Sequence, residues 1–525
     1  MIFFLVIIIA FVLRFYEFSK VPASIDWDEA SNTYNAYSIL KTFRDEYGTF
    51  LPITNRSFGD YKPPLYMYLE VPAVALLGLN NQAARIPSAI FGTFAVAIVY
   101  FLAKKLFEDE LISQLSMYLF AITPWAVHFS RIGFEANLGL FFTIATVTSI
   151  LYSIPGKSNE FKKRNYLFMM LSSILFGLSF YTYHSTRIVT PFLVLVILAL
   201  FRKQILKIPK TVTIASIALS LLIISPTFVF FTKSGISARL ESTSLSATEQ
   251  DLKISANLIS ENKKLGQKFS NIIYNRRLII AQNTVARYLS HFDINYLFTS
   301  GDDNLRHHIK NHGLLYLFQL PLVLFGLYKV FKKQSTENYL LIVWLLISPL
   351  PASLGNAYPH AVRSLNMSLP LILLSAIGLS VILKLFKQRK LFIVMASLLI
   401  ILSLLDYLHN YYSHYPSESA GSWQYGYKEA VETTVTLQNN YEEVIIHPSI
   451  EQAYTYWLFY TKYDPKTYQN LGNSGHFDKY YFSATQKTTG QLFVSSASNF
   501  PNTYSLLNTI YYPDGTQAIK IGEIK

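Results

Sequence analysis

Apolar stretches separated by short polar loops fill the first four-fifths of the chain. They lie at 1–18, 86–107, 111–129, 133–154, 166–183, 188–201, 211–232, 313–331, 338–355, 366–386 and 391–409. Apolar runs of about 18 to 23 residues predict membrane helices, so eleven candidate spans are expected. Two polar intervals are long: 19–85 and 233–312. In the first, Glu29 to Phe43 has helical periodicity, and Pro64 to Leu79 is an apolar stretch interrupted by Pro72. Both predict helices lying along the membrane interface. After residue 409 the pattern changes to helix-like 424–438, strand-like 443–446, helix-like 450–462, and strand-like 490–496 and 517–522. The fold class expected is an all-α polytopic membrane protein (1–409) carrying a small extracytoplasmic α/β domain (410–525). No short-period repeat is visible.

Charge sets the orientation. Lys104-Lys105, Lys162-Lys163-Arg164, Arg202-Lys203 with Lys207 and Lys210, Lys332-Lys333, and Lys387 with Arg389-Lys390 fall on one side if every span is real. Positive loops face the cytoplasm, which puts 19–85, 233–312, 356–365 and the C-terminal region outside. The first segment, MIFFLVIIIAFVL, lacks a basic leader and is expected to be a retained membrane helix with a cytoplasmic N-terminus. The chain of 525 residues is 51% hydrophobic and 15% charged, a charge content well below that of soluble domains. Its net charge of +13 is spread over loops and does not cluster as nucleic-acid binding requires. Cysteine is absent, which excludes disulfides, a thiolate nucleophile and cysteine metal ligands.

Candidate chemistry sits in the outer loops. Asp28-Glu29 places two carboxylates just past the first membrane helix; one of them can serve as a base, or the pair can cap the helix that follows. Lys62-Pro63-Pro64-Leu65 fixes a lysine ahead of a helix start, suited to a phosphate or to a plain solvated turn. Arg85, Arg131, Arg187 and Arg363 stand at the outer mouths of spans, with Glu135 and His184 beside two of them. Taken singly each is an interfacial anchor; converging, they would hold a phosphate leaving group. Arg14 reads as an anchor. Gly301-Asp302-Asp303-Asn304-Leu305-Arg306-His307-His308, with His312, reads as an ordinary loop, a polar pocket wall or a metal site. The spacing fits no specific zinc pattern, so no metal or other cofactor is favoured. The 37 tyrosines and 39 phenylalanines suit interfacial belts.

In this order, these residues resemble the GT-C fold, polyprenyl-phosphate-dependent glycosyltransferases, closest to the bacterial relatives of family 39, the protein mannosyltransferase and aminoarabinose transferase group. The resemblance rests on Asp28-Glu29, Lys62-Pro63-Pro64-Leu65, Ala84-Arg85-Ile86-Pro87-Ser88, Ser130-Arg131 with Glu135, Arg363 ahead of a span containing Pro370, and Gly301 to His307. It covers roughly residues 1–410. It implies inverting transfer of a sugar from a polyprenyl-phosphate donor to an extracytoplasmic acceptor on a protein, lipid or glycan, at the plasma membrane. Asp28 is then the base with Glu29 beside it. Lys62, Arg131, Arg187 and Arg363 contact the donor phosphate, and Tyr61, Arg85, Glu135, His184, Asp302, Arg306 and His307 line the substrate pocket. The aminoarabinose branch has arginine three positions after the aspartate; Ser31 stands here, which counts against that sugar. A lipid or sugar transporter without chemistry is the alternative. Transporters bury ionisable groups at mid-membrane and show repeated halves, whereas here charge gathers at helix mouths on one face.

Overall fold

The computed structural model describes residues 1–155, 162–231, 246–385, 389–471, 475–484 and 490–523. Lys387 of the basic loops and residues 233–245 of the second long interval lie outside them. The chain opens with α1 (Ile2–Phe15), α2 (Trp27–Thr42), the hairpin β1 (Asn55–Ser57) and β2 (Asp60–Lys62), and α3 (Leu65–Leu77). Next come α4 (Asn81–Phe107), α5 (Glu110–Ile122), α6 (Pro124–Arg131), α7 (Glu135–Ser153), α8 (Lys163–Ser179) and α9 (Thr186–Leu200). The short α10 (Arg202–Ile205) and α11 (Lys210–Phe231) follow. Helices Gln319–Lys332, Thr336–Ile347, Ser368–Leu385 and Arg389–His409 complete the bundle.

Every expected apolar segment carries helix. Among the described residues, five helical stretches are long and apolar enough to cross a membrane: Asn81–Phe107, Glu135–Ser153, Lys210–Phe228, Leu365–Leu385 and Ile393–Glu418. Helices α1, α3, α5 and α9 are apolar but shorter. Segment 111–129 is broken at Thr123-Pro124, where Thr123 is extended and Pro124 opens α6. A proline has no N–H to give and disfavours helix in the residue before it. Arg14, expected as a surface anchor, is instead fully buried at this break. Its guanidinium donates to the Ala121 carbonyl (3.0 Å) and the Phe120 carbonyl (3.4 Å) near the end of α5. Residues 313–318 are not helical; Leu315 N–H bonds the Leu297 carbonyl (2.8 Å) and the Leu314 carbonyl accepts from Trp125 N–H (2.9 Å).

The C-terminal region forms a six-stranded sheet in the order β4-β5-β3-β6-β8-β7. The strands are β3 (Glu443–Ile446), β4 (His476–Phe477), β5 (Tyr480–Phe482), β6 (Gln491–Ser496), β7 (Ser505–Tyr511) and β8 (Gln517–Glu523). β3 runs parallel to β5 and β6, and the other pairs are antiparallel. Helices Tyr427–Leu437 and Ala453–Thr461 cover it, and its core continues into Ile25, Ala30 and Tyr34. Tyr456 Oη donates to the Ile25 carbonyl (3.1 Å) and Tyr34 Oη to the Tyr463 carbonyl (3.0 Å). The first turns of α2 are therefore clamped between the sheet unit and the helix bundle.

Candidate active site

The start of α2 separates its two neighbouring carboxylates. Asp26 is the N-cap, accepting from Asp28 N–H (2.8 Å), while Glu29 Oε2 reaches back to Asp26 N–H (3.0 Å). This capping box satisfies free donors at the helix start. Glu29 is fully buried. It accepts from Arg85 Nε (2.9 Å), an Arg85 terminal nitrogen (3.1 Å) and Gly133 N–H (2.6 Å). Arg85 also donates to the carbonyls of Phe18, Pro22 and Ser24. Glu29 and Arg85 thus tie the segment between α1 and α2 to α4 and the turn before α7. Neither is among the residues lining the cavity that Asp28 faces, where both were expected.

Asp28 faces the other way, into a cavity of about 190 Å³. The hairpin delivers Lys62 to it: Phe58 and Gly59 take positive φ at the turn, which reverses the chain so that Asn55 pairs with Lys62. Lys62 Nζ forms an ion pair with Asp28. Burial disfavours the Lys62 ammonium, but the Asp28 and Glu135 carboxylates outweigh it and raise its pKa above the ordinary lysine value. Glu135, in the first turn of α7, accepts from Asn32 Nδ2 (2.9 Å) and shares the wall.

The loop at 301–308 closes the cavity. Arg306 pairs with Asp26 and lies over the Trp27 ring (4.6 Å). Its carbonyl bonds His128 Nε2 (2.7 Å), and the Leu305 carbonyl accepts from Tyr415 Oη (2.7 Å). Asp302 stands behind His307: its Oδ2 meets His307 Nδ1 (2.6 Å) and accepts from Ala361 N–H (2.8 Å). Burial opposes ionisation of Asp302, but His307 and the Ala361 N–H hold its pKa below the usual carboxylate range. The His360 ring stacks on His307 at 5.0 Å and 27°. Asp302, His307 and His360 bring candidate ligand atoms within 4.8 Å of one another. Asp302 Oδ2 is committed to two donors, however, and the group reads as a hydrogen-bonded dyad with a stacked neighbour. Arg363 reaches the cavity without an ion pair or hydrogen bond among the described residues.

Of the residues expected from the sequence, the structure gathers Asp28, Lys62, Glu135, His184, Arg306, His307 and Arg363 around one cavity. Tyr61 stays on β2, off the cavity wall. Arg187 sits one layer back, its Nε on the Phe180 carbonyl (2.7 Å) and a terminal nitrogen at 3.5 Å from His184 Nδ1. Arg131 lies elsewhere. It is fully buried, donating to the Leu13 carbonyl (2.7 Å) and Tyr411 Oη (3.1 Å), with the Tyr411 and Tyr412 rings against it. That placement corrects the expectation that it meets the donor phosphate. Pro63 and Asn304, within the two loop motifs singled out in the sequence, also line the cavity, as do His360, Phe134, Tyr183 and Val362, which were not anticipated. Of these four, His360, three residues before Arg363, carries a readable signal.

Residues 61–230 match the model of the dolichyl-phosphate-mannose-protein mannosyltransferase family. The match begins one residue before Lys62 and includes Glu135 and His184. No curated protein sequence matches the chain. Among solved structures, ArnT from Cupriavidus metallidurans bound to undecaprenyl phosphate is similar over 99% of this chain and 97% of its own, with a TM-score of 0.55 at 12% identity. The oligosaccharyltransferase AglB from Archaeoglobus fulgidus, in complex with an inhibitory peptide and a dolichol-phosphate, is similar over 99% of this chain and 73% of its own, with a TM-score of 0.53 at 14% identity. At such identity the likeness is one of fold. The chain therefore shares the fold of these two structures over nearly its whole length, and within it residues 61–230 are similar to the mannosyltransferase family.

Proposed function

We propose that the protein transfers a sugar from a polyprenyl-phosphate donor to a hydroxyl or amine acceptor on the extracytoplasmic face of the plasma membrane, with inversion at C1. The observation that carries this reading is the cavity itself. A carboxylate, Asp28, shares it with the cations Lys62, Arg306 and Arg363. The carboxylate suits a base for the acceptor, and the cations suit a phosphate whose charge grows as it leaves. The relatives of the same fold bind polyprenyl phosphates, undecaprenyl phosphate in one and dolichol-phosphate in the other, which supports a lipid-linked donor.

Asp28 is paired with Lys62 in the structure. A donor phosphate arriving at Lys62 competes for that ammonium and frees the Asp28 carboxylate, so the base becomes available once the donor is bound. Arg363, uncommitted to any described partner, supplies the remaining positive charge. The orientation is supported by the far ends of the same helices. Lys104 and Glu110 (2.5 Å), and Lys384 and Asp109 (3.0 Å), pair at the end of the bundle away from the cavity, where the cytoplasmic loops are expected.

The test uses the full chain in liposomes with a panel of hexosyl and pentosyl undecaprenyl phosphates, following release of undecaprenyl phosphate. Release by the wild type that is lost in Asp28→Asn supports the reading. Unchanged turnover in Asp28→Asn removes the base. Movement of intact donor across the bilayer without release makes the protein a transporter.

A further inference from the structure

We propose that His307, held in place by Asp302, is the proton donor to the phosphate oxygen that leaves the sugar. This deepens the reading above and rests on it.

The leaving group sets the need. When C1–O cleaves, the bridging oxygen keeps the bond pair and the lipid phosphate gains a second negative charge. A phosphate monoester takes up one proton with a pKa of about 6, so a donor at that oxygen relieves the developing charge. The cations of the cavity only partly meet it: Arg306 is already matched to Asp26, and Lys62 reaches the phosphate only by leaving its pairing with Asp28, so Arg363 is the one uncommitted cation among the described residues of the cavity.

His307 has the geometry of a positioned proton carrier. Nδ1 is taken by Asp302 Oδ2 at 2.6 Å, and that carboxylate is itself fixed by the Ala361 N–H at 2.8 Å. A carboxylate on Nδ1 sets the tautomer and orientation of the ring and stabilises the imidazolium. His307 lines the cavity, and Nε2 is its one nitrogen without a described partner. From the loop before the helix Ser368–Leu385, His360 stacks on it and Arg363 stands near. Burial first, then the charges of His307 and Arg363, hold His360 well below the ordinary histidine pKa. On its own loop His307 neighbours Arg306 and His308; His128 faces it from α6, and Lys62, Asp28, Glu135 and His184 share the cavity.

The proton balance closes. The acceptor oxygen forms its bond to C1 while Asp28 takes the acceptor proton. The C1–O bond breaks toward the phosphate, and the His307 Nε2 proton moves to that oxygen, so the lipid leaves as a monoanion. Return of the proton from Asp28 to His307 through cavity water resets the site with no net uptake.

The test needs no knowledge of the sugar. Full-length protein in lipid nanodiscs is loaded with undecaprenyl phosphate, and the phosphorus-31 shift of the bound lipid is titrated against pH. A protonated His307 beside the phosphate favours its dianion, so His307→Gln is expected to raise the phosphate midpoint by about one pH unit relative to wild type. Asp302→Asn, which keeps the histidine but removes its carboxylate, is expected to move it in the same direction by less. A titration in His307→Gln that overlays wild type overturns the proposal. A chelator that moves the wild-type curve as far as His307→Gln also overturns it, in favour of a metal on these residues. Normal binding with an unmoved midpoint refutes the histidine role alone; failure of the wild type to bind the lipid removes the glycosyltransfer reading with it.

Discussion

Asp28 and Glu29 are adjacent in the chain yet belong to opposite surroundings: Asp28 meets Lys62 at the cavity wall, and Glu29 meets Arg85 where neither side chain is exposed to solvent. Successive residues on a helix diverge by about 100°, so only one of such a pair can face a given cavity.

Their variants should therefore fail in different ways. Asp28→Asn is expected to lower turnover by roughly 10² to 10⁴, the range of a lost general base, with little change in melting temperature. Glu29→Ala leaves Arg85 buried without its counter-charge, and breaking such a pair costs about 3–5 kcal/mol. It should melt well below wild type in the same detergent. Thermal unfolding read beside donor turnover separates the two; equal loss of stability in both variants would contradict the division.

Two of the three arginines expected at the phosphate make a second contrast. Arg363→Ala removes the uncommitted cation at the cavity, and a charge-assisted hydrogen bond contributes about 1.5–3 kcal/mol. Undecaprenyl phosphate should bind roughly 10- to 100-fold more weakly. Arg131→Met should leave that affinity unchanged and lower the melting temperature, because Arg131 bonds the Leu13 carbonyl and Tyr411 in the interior. Lipid binding measured by scintillation proximity on both variants decides between them.

Much of this architecture is legible in the residues, because its apolar helices recur with a simple periodicity. Helix α2 and α3 occur where the loop pattern placed them, and the cavity residues Asp28, Lys62, Arg306 and Arg363 sit in or beside loops. The illegible part is which way a charged side chain turns at a helix mouth. Arg85, Arg131 and Arg363 look alike in sequence, and only packing decides that the first two turn inward onto carbonyls and Glu29. Strand β7 was missed for a related reason. Its pairing with β8 shifts register between Leu506 and Asn508, so it shows no clean alternation.

Two glycines within the bundle bring helices close. A Cβ on Gly326 would collide with the Leu374 carbonyl, and one on Gly378 with the Leu322 carbonyl. Small residues are what allow membrane helices to approach backbone to backbone. Gly326→Val or Gly378→Val should force helices Gln319–Lys332 and Ser368–Leu385 apart, costing about 1–3 kcal/mol by overpacking. The check is thermal unfolding in detergent; a melting temperature equal to wild type would refute the contact.

The last prediction concerns pH. Glu46 lies in the loop after α2, 3% exposed, accepting from Asn35 Nδ2 (3.0 Å) while its N–H donates to Asn35 Oδ1 (2.9 Å). Burial raises its pKa from 4.5 to about 8, against the pull of the Asn35 hydrogen bond. The folded state therefore keeps a proton that the unfolded chain has already released. Between about pH 4.5 and about 8 the unfolded state binds fewer protons, so this group makes stability fall as pH rises, by about 1.4 kcal/mol per pH unit. Below that window the contribution is flat. Glu46→Gln preserves the Asn35 contact and cannot ionise. It should match wild type near pH 4.5 and melt progressively higher than wild type up to about pH 8. Parallel melting curves for the two proteins across that range would show that Glu46 is ionised in the folded chain.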